Sequence, residues 1–326
     1  MFYISDNRDE FLNLPKILYA NDPFYTTKVE DVPQDAKLFV VKENDEVLAR
    51  CALIYNSGLS YKNYKTAQLG FFDATNNIDA VKFLFDEVKK YAKENYEYLV
   101  GPINGSTWKK YRITLPSNNL PFLLDNYNKS YYAELFENSG FEQIAYYTSS
   151  IFNNLDRDYS RMEKFSKIFE QKGIKLRNFD PEKFEEDIRK IYEISVQSFV
   201  NNFLYTEISF EEFYKMYEPV KSFLNPEWII FAENEKDEPV AFMFGFDNLF
   251  SQGKKSLVAK TLAQVPNPKF KGIGSYLIEL LHKKAYEKGY DNVIHALMYE
   301  SNVSANILGK DAQLYHEYKL YGVKLW

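Results

Sequence analysis

Apolar positions change period several times along the first half of the chain. Phe11, Leu14, Ile17 and Leu18 recur at helical spacing, with Pro15 interrupting them and Asn21-Asp22-Pro23 closing the segment. Leu38 to Lys42 and Val47 to Tyr55 are strand-like runs on either side of the polar turn Glu43-Asn44-Asp45-Glu46. Ala67 to Asp73 is a third run. It leads into a helix expected from about Ile78 to Glu94, with Val81, Leu84, Phe85, Val88 and Ala92 on one stripe. A short strand, Tyr96 to Val100, precedes Gly101-Pro102, and Ile103 to Asn119 has little periodicity. A short helix about Tyr131 to Asn138 stops at Gly140, ahead of a strand from Phe141 to Phe152.

A similar order then recurs. A helix from Tyr159 to Lys172 ends at Gly173, followed by a strand from Ile174 to Phe179 and helices from Pro181 to about Phe199 and Phe210 to Phe223. Strands Trp228 to Glu233 and Pro239 to Asp247 flank the turn Asn234-Glu235-Lys236-Asp237. Strand Ser256 to Gln264 enters a loop, a helix runs from about Gly274 to Lys288, and strand Asn292 to Tyr299 follows. A final pair of elements lies near Tyr315 to Trp326. The repeated order predicts an α/β protein of two tandem domains, each a mixed central sheet flanked by helices. The expected domains are 1–156 and 157–326.

Composition narrows the class. At 326 residues the chain is long enough for two cores. Its 27 Phe and 27 Tyr supply rings for those cores or for an apolar cleft. The net charge of −6 argues against a large nucleic-acid surface, so no nucleic-acid partner is expected. Cys51 is the single cysteine, and His282, His295 and His316 are scattered, so no metal site is expected. The Met1-Phe2-Tyr3-Ile4-Ser5-Asp6 opening lacks a signal-peptide pattern, and no apolar run approaches the roughly 20 residues of a membrane span. A cytoplasmic location is the default expectation. Oligomeric state is not legible.

The segment with chemical content is Pro266-Asn267-Pro268-Lys269-Phe270-Lys271-Gly272-Ile273-Gly274-Ser275, between a strand and an amphipathic helix. Two glycines let the backbone bend and leave its amides uncovered. The N–H groups of Lys271 to Ser275 are expected to be unpaired donors of the first helical turn, where the helix dipole favours an anion such as phosphate. Lys269 and Lys271 add positive charge. Behind them Ile273, Leu277, Leu281 and Ala285 form the stripe that buries the helix. A tight turn without a ligand fits the two glycines alone equally well. A third glycine for a dinucleotide fingerprint is absent, as is the Gly-Lys-Ser/Thr ending of a nucleotide P-loop.

Lys269-Phe270-Lys271-Gly272-Ile273-Gly274 resembles the pyrophosphate loop Q/R-x-x-G-x-G/A of the GNAT N-acetyltransferase superfamily, with Lys in the first place. Asn302-Val303-Ser304-Ala305 is similar to that family's N-x-x-A. The resemblance covers roughly residues 170–326. It implies that Lys269, Phe270, Lys271, Gly272, Ile273, Gly274 and Ser275 hold the diphosphate of acetyl-CoA or another acyl-CoA. It also implies that backbone groups near Leu262 and Gln264 pair with the pantetheine arm. Asn302 and Asn306 are candidates for hydrogen bonds to that arm, with capping of their helix as an equal reading. In the first half, Ala74-Thr75-Asn76-Asn77-Ile78-Asp79 stands where the loop belongs, without a glycine and with an added acid, so that half resembles the same fold with its site dismantled. Leu135-Phe136-Glu137-Asn138-Ser139-Gly140-Phe141 is similar to the family's L-Y-E-x-x-G-F. The Tyr19-Ala20-Asn21-Asp22-Pro23 opening, Gly101-Pro102, Asn126-Tyr127-Asn128 and Tyr131-Tyr132 resemble a bacterial group of tandem GNAT-like proteins, the YghO-like group.

The activity so implied is direct transfer of an acyl group to an amine, with a small-molecule amine as the expected partner. The family's tyrosine acid has no counterpart: its place is taken by Gly309, and by Phe136 in the first half. Glu300 is the first candidate base, with a solvated strand end as its plain reading. His295 titrates in the useful range if solvated, and packs as a core histidine otherwise. Tyr315 replaces the missing hydroxyl if the last helix folds back, and otherwise packs. His282 is expected on the solvent side of its helix. Asn126, Tyr127, Asn128, Tyr131 and Tyr132 are candidates for an acceptor wall between the halves, against the plain reading of a Tyr-rich contact. Two alternatives stay open, a tRNA-dependent aminoacyl transferase on a tandem GNAT fold and a non-catalytic acyl-CoA-binding protein.

Overall fold

The computed structural model describes residues 1–25, 30–300 and 311–326. It divides into two compact units, both discontinuous in sequence. Unit 1 comprises Met1–Tyr147, Leu204–Thr206 and His316–Trp326, and unit 2 comprises Thr148–Phe203 and Glu207–Tyr315.

In chain order the elements of the first half are β1 (Tyr3–Ser5), α1 (Arg8–Leu18), β2 (Lys37–Glu43), β3 (Glu46–Ile54), β4 (Ser60–Tyr61) and β5 (Tyr64–Ala74). They continue with α2 (Ile78–Ala92), β6 (Tyr98–Gly101), β7 (Ile113–Thr114), α3 (Tyr132–Glu137) and β8 (Glu142–Phe152). The second half adds α4 (Ser160–Gln171), β9 (Lys175–Asn178), α5 (Phe184–Phe199), α6 (Phe210–Tyr217), β10 (Ile229–Glu233) and β11 (Pro239–Asp247). It ends with β12 (Ser256–Gln264), α7 (Ile273–Glu287), β13 (Asn292–Tyr299) and β14 (Gln313–Lys324).

Each unit is built on a mixed sheet. In unit 1, β1, β2, β3 and β5 are antiparallel neighbours, β5 and β6 are parallel, and β14 pairs antiparallel with β6. In unit 2, β9, β10, β11 and β12 are antiparallel neighbours and β12 and β13 are parallel. The helix after the fourth antiparallel strand covers the same kind of core in both units. Val81, Leu84, Phe85 and Val88 of α2 are fully buried beside Phe72 and Phe136, whose rings stand edge-on at 5.0 Å. Ile273, Leu277, Leu281 and Ala285 of α7 are likewise fully buried. The expected stripes are therefore the stripes that pack.

Three local expectations change. Pro15 does not interrupt α1. Proline cannot donate to the carbonyl four residues back, and Arg50 Nη1 supplies the missing donor to Phe11 O at 2.8 Å. The helix expected from Phe210 to Phe223 is α only to Tyr217, then continues as a 3-10 turn over Glu218–Phe223 that contains Pro219. The expected final pair is one strand, β14, so Tyr315 lies in a strand and no last helix carries it. No described helix is long and apolar enough to cross a membrane.

Candidate functional site

The parallel pairing of β12 and β13 covers Ser256–Ala259 against Asn292–His295 and then stops. Both strands bend at that point. In β12, Ala259 faces Gly245 and Thr261 faces Phe244, which leaves Lys260 as the extra residue of a bulge. In β13, Leu297 takes a φ of 61° and its N–H donates to Ser149 Oγ at 3.0 Å, a hydrogen bond that fixes the bend. The strands part beyond the Ala259–His295 pair. Ser256 to Ala259 are buried, whereas Lys260, Thr261, Leu262 and Gln264 are half-exposed.

Backbone alternation says what faces the gap. Val265 N–H donates to Val240 O on β11 at 2.9 Å, so the backbone groups of Gln264 and Leu262 point the other way, to the side β13 has left. Their side chains lie against α7. A Cβ added at Gly274 would sit 3.2 Å from Leu262 Cδ2 and 3.4 Å from Gln264 Oε1. The small residue at 274 is what lets helix and strand approach.

The loop between them is a single 3-10 turn, Pro268–Phe270, held by Asn267, whose Oδ1 accepts from Lys269 N–H at 2.9 Å. Lys271 N–H donates to Pro268 O at 3.1 Å, so it is spent on the turn and is not one of the free donors expected there. Gly272 then takes a φ of 93°, a left-handed conformation that favours glycine, and α7 begins. The first backbone bond of the helix is Tyr276 N–H to Gly272 O at 3.1 Å, and no side chain caps the end. Among the described residues, no acceptor takes the N–H groups of Gly272, Ile273, Gly274 or Ser275. Lys269 and Lys271 are exposed beside them and form no ion pair with a described residue. Phe165 of α4 covers one side, 3.5 Å from a Cβ built on Gly272, and Lys172 Nζ donates to Lys269 O at 2.8 Å. Phe165 and Lys172 were not singled out in the sequence, because a helical period does not say which distant loop a helix face meets.

The corresponding place in unit 1 is filled. After β5 and β6 pair over Thr66–Gln68 and Tyr98–Val100, Ile103 N–H bonds Leu69 O at 2.9 Å and Asn104 Oδ1 takes Phe71 N–H at 2.8 Å. A Cβ on Gly70 would lie 2.6 Å from Ile103 O, so the chain itself occupies the gap. The start of α2 is also satisfied: Asn77 Oδ1 accepts from Ala80 N–H at 3.0 Å, and Asn77 O accepts from Val81 N–H at 3.1 Å. Tyr132 OH accepts from Ala74 N–H, and Tyr131 OH donates to Ala74 O.

The remaining candidates fall as follows. Glu300 is exposed at the turn after β13, and Tyr315 is half-buried in β14. Asn302, Asn306 and Gly309 lie outside the described residues. Asn126 Nδ2 donates to Tyr111 O, Asn128 accepts from Thr114 N–H, Tyr127 OH donates to Asp22 at 2.7 Å, and Tyr132 OH donates to Asp73 at 3.1 Å. All five of the expected wall residues thus make hydrogen bonds inside unit 1.

His282 is not on a solvent face. It is fully buried, with its Nε2 2.7 Å from His295 Nε2 and its Nδ1 2.9 Å from Arg157 Nη2. Arginine only donates, so His282 Nδ1 accepts and its Nε2–H donates to His295. Burial first, and then the Arg157 charge, push His295 down to about 3. Burial, His295 and Arg157 hold His282 well below the usual histidine value. His295 is therefore neutral near pH 7 and below it, and the useful titration expected of it is absent. The sign for stability follows. The unfolded chain protonates these rings below about pH 6.5 and the folded chain does not, so stability falls as pH drops from about 6.5 toward 3. Between pH 7.5 and 5.5 His295 accounts for a loss on the order of 1 kcal/mol, and His282 adds to it in the same direction. Substitution His295→Gln keeps an acceptor for His282 without titrating, and should reduce that acid loss in urea-unfolding midpoints at the two pH values.

No protein-family model matches the sequence, and no curated protein does. Solved structures match its fold. A GCN5-related N-acetyltransferase from Sphaerobacter thermophilus superposes with a TM-score of 0.54 at 12% identity, over 99% of this chain and 96% of that one. A tandem GNAT protein from the clavulanic acid biosynthesis pathway gives 0.56 at 10% identity, over 100% and 98%. A GCN5-related N-acetyltransferase from Anabaena variabilis gives 0.56 at 10%, over 100% and 73%. The parted parallel strands, the uncapped glycine helix start and these superpositions lead to one conclusion: the chain has the tandem GNAT fold.

Proposed function

We propose that unit 2 binds an acyl-CoA and transfers its acyl group to an amine, and that unit 1 carries a dismantled copy of the site. The observation that supports this best is the set of four N–H groups at residues 272–275 that meet no acceptor among the described residues, beside a strand whose pairing with β13 has ended. Those amides and the helix dipole suit a diphosphate, and Lys269 and Lys271 add charge at its mouth. Leu262 and Gln264 offer backbone groups of the right kind for the amides of a pantetheine arm. The thioester, when bound, supplies an activated acyl carbon. N–H groups near the Lys260 bulge would stabilise an oxyanion there, and holding the two substrates together supplies much of the acceleration. Glu300 is the candidate base on β13's end, exposed and without a described partner. With His295 locked neutral, it is the stronger of the two.

The test is calorimetric titration with acetyl-CoA, followed by thiol release across a panel of primary amines. Micromolar binding that weakens at least about 100-fold for acetyl-pantetheine, which lacks the diphosphate, is the expected result. Absence of binding would overturn the reading. Tight binding with no turnover for any amine would leave a non-catalytic acyl-CoA-binding protein in its place.

A further inference from the structure

Unit 1 contains a buried cation without a counter-ion. Arg112 follows the loop after β6, and its N–H donates to Pro102 O at 2.9 Å. Its φ of 70° places a residue with a long side chain in the left-handed region. The residue is 6% exposed, and its Nε and Nη1 are closed off from solvent with no hydrogen-bond partner. Nη2 also meets no acceptor among the described residues, and it is the nitrogen left at the surface.

Aromatic rings enclose the guanidinium. Its Cζ lies 4.0 Å from the Tyr111 ring, 4.2 Å from Tyr147 and 5.7 Å from Tyr318. The first two rings stand at 85° to each other, so the group sits in a corner. Ring faces attract a cation, yet they do not accept the in-plane N–H donors of the fork. Asp125 is the acid attached to this cluster, and it is already engaged. Tyr318 OH donates to its Oδ1 at 2.8 Å, and His316 Nδ1 lies 2.8 Å from its Oδ2. A desolvated, unpaired charge on a left-handed backbone destabilises a fold twice over.

We propose that Arg112 is a binding residue for a small carboxylate. A planar carboxylate arriving at Nη2, the nitrogen at the surface, gains a charge-assisted hydrogen bond, and a small shift of the atoms that cover Nε or Nη1 would add the second prong, the two-pronged geometry that arginine offers and lysine does not. The ring walls favour an acid whose body is apolar or aromatic. This site rests on unit 1's residues alone and does not depend on acyl-CoA binding to unit 2.

The test is a thermal-shift titration of the whole protein with benzoate, acetate and inorganic phosphate, at ionic strength matched with chloride. Benzoate is expected to raise the melting temperature more than acetate does, with phosphate no better than chloride. Arg112→Met removes the charge at similar length. It should weaken benzoate about tenfold or more, while the ligand-free variant melts no lower than the parent protein, because no paired charge is lost. Arg112→Lys should be intermediate. Should the methionine variant not fold, the Arg112 Nε–H resonance of the parent protein is read instead, and it should shift as benzoate saturates. No benzoate effect on the parent protein, an equal effect of phosphate, or a methionine variant that melts lower and still binds benzoate would each overturn the proposal.

Discussion

Gly272→Glu is expected to abolish the acetyl-CoA binding proposed for unit 2 while the protein stays folded. The fold cost is bounded, because an L side chain at a φ of 93° costs about 1–2 kcal/mol and the built Cβ meets Phe165 at an ordinary 3.5 Å. The buried stripe of α7 is untouched. The binding cost is larger, since a carboxylate would stand at the four amides and two lysines proposed to receive the diphosphate. It would occupy the donors and repel the diphosphate, and a loss above about 100-fold is expected. Gly272→Asn is the control. Asparagine tolerates the left-handed conformation and carries no charge, so the helix start survives and affinity falls much less. Titration calorimetry and thermal melts on the three proteins separate the two effects. An unchanged affinity in the glutamate variant would remove the site assignment.

Asp73→Ala is expected to destabilise unit 1 strongly. Arg50 is fully buried, and Asp73 Oδ2 takes its Nε at 3.0 Å and its Nη2 at 2.5 Å. Glu30 lies 2.6 Å from the same Nη2, and Nη1 is committed to Phe11 O beside Pro15. Removing Asp73 leaves the buried Arg50 with Glu30 as its counter-ion, takes the acceptor from its Nε, and strips Tyr132 OH of its acceptor. Loss of one partner from such a pair costs about 3–5 kcal/mol. Asp73→Asn keeps the shape and one acceptor oxygen, and should cost less. Urea unfolding of the two variants against the parent measures both. A loss below about 1 kcal/mol for the alanine variant would mean that Glu30 and the Phe11 carbonyl suffice for Arg50.

Much of the fold was legible because burial periodicity survives packing. The stripe Ile273, Leu277, Leu281, Ala285 and the strands Pro239–Asp247 and Ser256–Gln264 stand where alternation and helical spacing put them. The glycine loop was legible because the strained φ of 272 and the close approach at 274 leave a mark in residue type. Other features rest on distant partners, which local pattern does not carry. Pro15 is tolerated only because Arg50 reaches Phe11 O from another strand. Helical position alone puts His282 toward solvent, yet His295 on β13 and Arg157 from the segment before α4 meet it in the interior. In unit 1 the missing glycine pointed to a closed site, but the agents of closure, Ile103 and Asn104, come from a stretch without periodicity. Arg112 left no signal at all, since nothing in its neighbours announces a left-handed arginine among tyrosines.

In the proposed complex the amides of residues 272–275 receive the diphosphate of a CoA. Amide proton–nitrogen correlation spectra recorded as CoA is added test it most directly. Large downfield shifts of the Gly272, Ile273, Gly274 and Ser275 N–H signals, with that of Lys271 moving less because it already donates to Pro268 O, are the expected result. Saturation of the protein by CoA with those four signals unmoved would contradict it.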